Sequence, residues 1–506
     1  MGIIITKKNV VKCIKIWYSF FTDSKSNEEI IMKISARSDF LRAILSLGCF
    51  MGWQFSLLKL AQLSLSETYA TNMFGAIKNA FFASQLSALV IIIAVLTVFD
   101  IENIITRKIL RVLPGLLLGE GIFAIALSSS STAVVFACIA GVSSAIGAVA
   151  VLTSLLMVRT RDRLKVVGCS LAMGAGIYLL TCVLVPFILN GIWGRLLSGL
   201  LIAVATSLFV HFEPFSGSST GVINRLDEKT AAYVLKKFPY EYLVFIPLCI
   251  VFLFGFFMAD DFVQNNPAVN LVVPDVISYI VIAVTALLAG YLIKPHNAAS
   301  LFAAASALLG AGILLLSVVT LTWFEISIYA VFSGIGYALF WASTFLLVTA
   351  FALGKLHPLF YAVIGYTSFV LSQLIASVIA SNNKFSAEKA TNLTIIFIVL
   401  APVIWFVVSK GLAHRGYSAQ AIERRRCIRR EISALAKEYS LSGRECVMIE
   451  LLAVEKCPRE ELVYNLYISE RSILRYLENI ETKTGKSTDE LVCELWEKYD
   501  NIEPEL

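Results

Sequence analysis

The sequence predicts an all-α protein: a polytopic bundle of membrane-spanning helices, six and six, followed by a small soluble four-helix domain. Three observations carry this. The 506 residues are 58% hydrophobic and only 15% charged, against ~25% charged in an ordinary soluble domain. The mean hydropathy is +0.78, and it comes from apolar runs of about 20 residues, the length that crosses a ~30 Å hydrocarbon core. Beyond Trp405–Gly411 the apolar character stops and a charged segment follows.

Twelve runs read as spans: 40–58, 80–99, 109–128, 131–157, 166–189, 191–211, 241–259, 271–293, 300–321, 326–352, 358–380 and 391–411. The fourth and tenth exceed the usual length and are expected to tilt or to include a cap. Basic residues test the topology. With the N-terminus inside, the inner loops hold Arg107, Lys108, Arg111, Arg159, Arg161, Arg163, Lys165, Arg225, Lys229, Lys236, Lys237, Lys294 and Lys355. The outer loops hold Lys59, Lys78, Arg195, Lys384 and Lys389. This asymmetry follows the positive-inside rule and places both termini in the cytoplasm. The chain divides into an N-terminal segment 1–39, a membrane domain 40–411, a basic juxtamembrane linker helix 412–440 and a C-terminal domain 441–506. No cleavable signal is visible, because Lys7, Lys8, Lys12 and Lys15 interrupt any apolar core.

The longest interior inner loop, Glu213 to Tyr240, separates two sets of six spans. This layout resembles a major facilitator superfamily transporter, whose two halves face each other around a midplane site. The loop between the second and third spans reads Asp100-Ile-Glu-Asn-Ile-Ile-Thr-Arg-Lys108, with the acidic and basic residues of that family's motif but none of its glycines.

Polar groups inside spans mark a candidate ligand site, since hydrocarbon penalises them. Glu120, in Leu118-Gly-Glu-Gly121, heads the candidates; Arg42, Gln54, Gln85 and Gln373 follow. Structural carboxylates bonded to a neighbouring helix look the same in sequence. Tyr337 and Trp341 line a pocket or simply pack. The ten cysteines form no CxxC pair, which argues against a zinc site or a disulfide framework. No metal, cofactor or catalytic constellation is expected, and the chain does not read as an enzyme.

The tail carries local helix signals. Ser442 with Glu445, and Ser487 with Glu490, fit capping boxes. Pro458 suits a helix start, with that short helix running to Asn465. Ser469 caps a third helix in which Ile473, Leu477 and Ile480 repeat at i, i+4, i+7, and Gly485 ends it. Arginines upstream, among them Arg424, Arg425, Arg426, Arg429 and Arg430, suit anionic headgroups or DNA phosphate.

Over about residues 438–500 this segment resembles the LuxR-type helix-turn-helix of bacterial transcription regulators. The match rests on Leu441-Ser-x-Arg-Glu445, Leu451-Leu-Ala453, Leu466-Tyr-Ile-Ser469, Ser472-Ile473, Leu477, Asn479-Ile480, Lys483 and Gly485. Glu455, Leu474 and Thr484 replace family-typical glycine, lysine and leucine. The resemblance implies a tetrahelical helix-turn-helix domain whose third helix enters the major groove. Its DNA contacts would be Arg471, Ser472, Arg475, Glu478, Asn479 and Lys483, and its fourth helix would form a homodimer face. Residues 441–506 nevertheless hold eight Lys/Arg against fifteen Asp/Glu.

Together these readings lead to a membrane-bound, one-component transcription regulator in a bacterial inner membrane. It would touch lipid, an unidentified small molecule and duplex DNA. The rival reading is a secondary transporter with a regulatory or protein-interaction tail.

Overall fold

The computed structural model describes residues 40–57, 72–98, 130–158, 160–188, 240–264, 272–293, 298–318, 323–353, 358–381, 419–453 and 469–500. It also describes isolated positions at 59, 193–194, 197–201, 204, 392, 395–396, 399, 403 and 462. Every regular element among these residues is a helix. The expected third span with Glu120, most of the sixth and twelfth, and most of the helix expected from Pro458 to Asn465 lie outside the described residues.

The first half contributes α1 (Phe40–Leu57), α2 (Asn72–Val98), α3 (Ser130–Met157) and α4 (Thr160–Tyr178). Helix α4 runs on through a π-helical stretch, Leu179–Leu184, into Val185–Ile188. The second half contributes α5 (Tyr240–Gln264), α6 (Val272–Leu292), α7 (Ala298–Val318), α8 (Trp323–Leu353) and α9 (Pro358–Ser381). Seven of these are long and apolar enough to cross a membrane, and Phe245–Asp260 and Ser300–Leu316 are shorter apolar stretches. The protein is therefore a multi-pass membrane protein. The 31 residues of α8 extend about 46 Å, well beyond the hydrocarbon thickness, so the surplus lies at its ends or in tilt.

The halves meet along two seams. On one side α4 packs on α6; on the other α2 and α3 pack on α9. The first seam is close because two glycines sit in it. A Cβ on Gly168 would lie 2.3 Å from the Ala286 carbonyl oxygen, and one on Gly290 would lie 3.1 Å from that of Leu164. Missing side chains at such places let backbones approach and pack, the usual source of helix association in lipid.

Lys78, Arg161, Arg163 and Lys165, counted as loop charges, belong to helices. Lys78 lies within α2, is 6% exposed and stands 4.6 Å from the centre of the Phe257 ring, a cation–π contact. Helix α2 therefore begins eight residues before the expected Ala80. Arg163, 2% exposed, donates to the Leu155, Leu156 and Val158 carbonyls at and just past the end of α3, where a helix has few intrahelical donors left for its carbonyls. Lys165 lies one turn into α4 with Asp162.

The tail forms α10 (Ala419–Glu438), α11 (Gly443–Ala453), α12 (Glu470–Thr484) and α13 (Thr488–Asp500). They share a core of their own: Ile428, Ile432 and Ala436 of α10 join Met448, Leu451, Ile473, Leu477, Ile480, Leu491 and Leu495. The segment expected as a linker helix thus packs into the C-terminal core. The caps form where the sequence placed them. Ser442 N–H donates to Glu445 Oε2 at 2.6 Å, and Ser487 N–H to Glu490 Oε2 at 2.9 Å. Ser469 Oγ accepts from Ser472 N–H, and Gly485 ends α12 at φ +70°. That conformation disfavours any residue with a Cβ.

Candidate functional site

The polar groups of the membrane domain converge where the halves meet. Gln54 on α1 donates through Nε2 to Ser144 Oγ of α3 at 2.7 Å. Gln85 on α2 donates to the same oxygen at 2.8 Å and reaches the Tyr366 hydroxyl of α9 at 3.4 Å. Four side chains from both halves therefore form one network. Gln85 is 1% exposed, and its Oε1 has no hydrogen-bond partner. A buried acceptor left in that state costs about 1–3 kcal/mol.

Aromatic rings flank this network. Tyr366 lies 5.9 Å from Phe369, which meets Trp341 edge-on at 4.9 Å. Trp341 in turn stacks on Phe345 at 5.5 Å. The buried Trp341 Nε1 and Thr344 Oγ1 are also without partners. The site thus offers amide, hydroxyl and indole groups beside ring faces, and the network itself is built of uncharged side chains.

Of the sequence candidates, Gln54 and Gln85 come together. Gln373 is buried two turns further along α9. Arg42, half-buried, is twelve residues from Gln54 and so about 18 Å along α1, which places it apart from the network. Glu120 lies outside the described residues. Sequence reasoning missed Ser144 and Tyr366. Their only signals were polar positions in apolar runs, Ser143-Ser144 and Tyr366-Thr-Ser368.

A second cluster closes the bundle near the end of α1. Lys59 Nζ pairs with Asp275 Oδ2 of α6 at 2.8 Å, and the Tyr178 hydroxyl of α4 donates to the same oxygen at 3.3 Å. The Tyr178 and Tyr279 rings stack with centres 3.6 Å apart, and Phe55 meets Tyr279 edge-on at 5.6 Å. Thr181 donates to Ser56 at 2.9 Å. Lys59, counted as a loop charge in the sequence, is one half of a latch across the halves.

In the C-terminal domain, α12 turns Ile473, Leu477 and Ile480 inward and leaves Arg471, Leu474, Arg475 and Glu478 exposed. Ser472 and Asn479 are half-buried; the Ser472 hydroxyl pairs with Ser469. Lys483 is engaged within the domain: it donates to Glu445 Oε2 at 2.7 Å and to the Ser440 carbonyl at 3.3 Å. Burial alone would raise the Glu445 pKa. The Lys483 ammonium and the Ser442 bonds outweigh it and hold the carboxyl below its ordinary value. Arg429, read as a headgroup or phosphate contact, pairs instead with Glu450 of α11, which is fully buried.

Known structures place the membrane fold. A major facilitator superfamily proton:xylose symporter, XylE, bound to 6-bromo-6-deoxy-D-glucose, matches with TM-score 0.53 and 12% identity. The match covers 73% of this chain and 95% of that one. The human organic anion transporter MFSD10 matches with TM-score 0.51 and 14% identity, over 73% of this chain and 98% of that one. The membrane domain has the major facilitator fold. No family model and no curated protein matches the chain. Both matches bear on the membrane fold, and they give no support to a helix-turn-helix tail or a DNA partner.

Proposed function

We propose that this protein is a secondary carrier of a small uncharged, hydrogen-bonding solute, with its C-terminal helical domain regulating the bundle from the cytoplasm. The observation that carries the reading is the buried Gln54–Gln85–Ser144–Tyr366 network, which spans both halves and leaves Gln85 Oε1 open to a donor. A hydroxyl-bearing solute supplies such a donor and apolar edges for the Trp341–Phe369 rings. The glucose derivative bound by one structural neighbour has that chemistry. Alternating access would move this site between the two faces, with the Lys59–Asp275 latch at one of them. Twelve spans, a bacterial inner membrane and both termini inside complete the proposal, and no enzymatic step is part of it. Uptake of radiolabelled neutral solutes into cells or proteoliposomes tests it. Transport that persists when the chain is cut at Gly411 and fails with Gln85→Leu supports it; no uptake across a panel of sugars and polyols counts against it.

A second reading keeps the tail as a LuxR-type DNA reader that responds to the solute, as a homodimer joined through α13. The observation in its favour is the exposed Arg471–Arg475 face of α12 over a buried Ile473–Leu477–Ile480 stripe. Two arginines one turn apart suit one guanine edge and one phosphate. Lys483 enters such a contact only by leaving Glu445. A gel-shift at stated salt with DNA from the neighbouring promoter decides it: loss of specific binding in Arg471→Ala/Arg475→Ala supports the reading, and unchanged binding rejects the assignment. In either reading Glu120→Gln is expected to alter the solute response without blocking insertion.

A further inference from the structure

We infer that α10 is a strap across the two halves of the bundle, so that its seating on the membrane domain reports which face of the carrier is closed. The inference uses only the two-half, alternating-access part of the proposed function and needs neither the solute nor DNA.

Three observations support it. First, α10 contacts α4 of the first half and α8 of the second. Helix α4 begins and α8 ends at one face of an alternating bundle. Second, that face is shut: α4 and α6 meet there through Gly168 and Gly290 at near-contact backbone distance. Third, α10 is fixed to the rest of the C-terminal domain. Arg429 pairs with Glu450 of α11, and Lys498 of α13 pairs with Glu431. Ile428, Ile432 and Ala436 lie in the shared core.

When the halves part at this face, α4 and α8 move away from each other, and a rigid helix cannot follow both. It keeps one contact and loses the other. Because α10 is tied to α11 and α13, the whole C-terminal domain then changes its position against the membrane. The bistable element is the bundle, and both the solute and anything bound to the tail act on its equilibrium. By linkage, a partner that grips the seated tail also holds this face closed.

Hydrogen exchange of the full chain in detergent or nanodiscs tests the strap with no solute present. Gly168→Val drives a side chain into the Ala286 carbonyl and wedges α4 from α6, so exchange of the α10 amides should accelerate by about tenfold or more. Gly176→Val is the control on the same helix, because a Cβ there meets nothing within 4 Å; it should leave α10 unchanged. Asp275→Asn breaks the Lys59 latch at the opposite face, favours closure at this one and should slow α10 exchange. Should Gly168→Val fail to fold, Gly290→Val is the gentler wedge. The strap is overturned if the wedge leaves α10 exchange at the wild-type rate, or if the wedge and Asp275→Asn shift it in the same direction. Absence of transport in a solute panel would reject the carrier reading and leave this exchange result standing.

Discussion

Replacing Arg429 by Ala should loosen the joint between α10 and α11, and its size follows from burial. Glu450 is fully buried, and the Arg429 side chain that pairs with it is 11% exposed. Breaking a buried pair by removing one partner costs about 3–5 kcal/mol, because the remaining charge stays desolvated after losing that attraction. A small domain has only about 5–15 kcal/mol of stability in total. At 1.4 kcal/mol per decade, a loss of about 3 kcal/mol multiplies the open population by roughly a hundred or more. Hydrogen exchange of Ala419–Glu438 and Gly443–Ala453 in the full chain reads this directly, with α2 and α9 as internal references. The companion variant Arg429→Met/Glu450→Leu removes both charges and keeps apolar volume, so most of the loss should return. A single variant costing under about 1 kcal/mol would refute the reasoning, since that is the worth of an exposed pair. So would a double variant as damaged as the single one.

Gln85→Leu should change the thermal midpoint of the bundle little, since a hydrogen bond between membrane helices contributes about 0.6 kcal/mol on average. It should weaken solute binding by about tenfold, measured by titration once a transported solute is known. The Glu445 carboxyl, held below its ordinary value chiefly against burial by Lys483 and Ser442, contributes stability that is complete above the unfolded-state carboxylate pKa. That stability is lost as pH falls through the depressed folded value. Acid unfolding of the α10–α13 domain should therefore begin at higher pH in Lys483→Met, followed by fluorescence of Trp496. Gly485→Val should cost about 1–2 kcal/mol, because φ +70° forces a β-branched residue into the left-handed region; thermal melts check it. Cys446 is buried, and burial followed by the charges of Glu445 and Glu450 pushes its thiol up to about 11. It should resist alkylation at neutral pH, while the exposed Cys493 reacts; mass mapping separates the two.

Much of this molecule was legible because its signals are local. Hydropathy over 20 residues located the body of α1 through α9, although α2 and α4 begin eight and six residues before the expected edges. Capping pairs three residues apart located the starts of α11 and α13, Ser469 located that of α12, and Gly485 located an end. The errors came where a residue's role depends on something distant in sequence. Lys78 looked like a loop charge until Phe257 supplied a ring, and Lys59 until Asp275 supplied a carboxylate. Lys483 faces outward on a helical wheel, yet Glu445, thirty-eight residues earlier, holds it against the domain. Gln54 and Gln85 were found because an amide in an apolar run is conspicuous. Ser144 and Tyr366 were not, because serine and tyrosine occur in spans for many reasons. Only the meeting of α1, α2, α3 and α9 gives them a shared task.

The π-helical stretch in α4 has a consequence of its own. A π turn holds one more residue than an α turn and leaves a carbonyl poorly matched to its helix; here the Thr181 carbonyl accepts from the Ser198 hydroxyl. Deleting one residue between Leu179 and Leu184 would restore regular winding, because the wide turn already accommodates one extra residue in a single rotation. Val185–Ile188 would keep nearly the same flank toward its surroundings, drawn back by about 1.5 Å. This short segment is a reserve of register, a place where the helix can gain or lose one residue while the Tyr178 stack upstream of it stays in step.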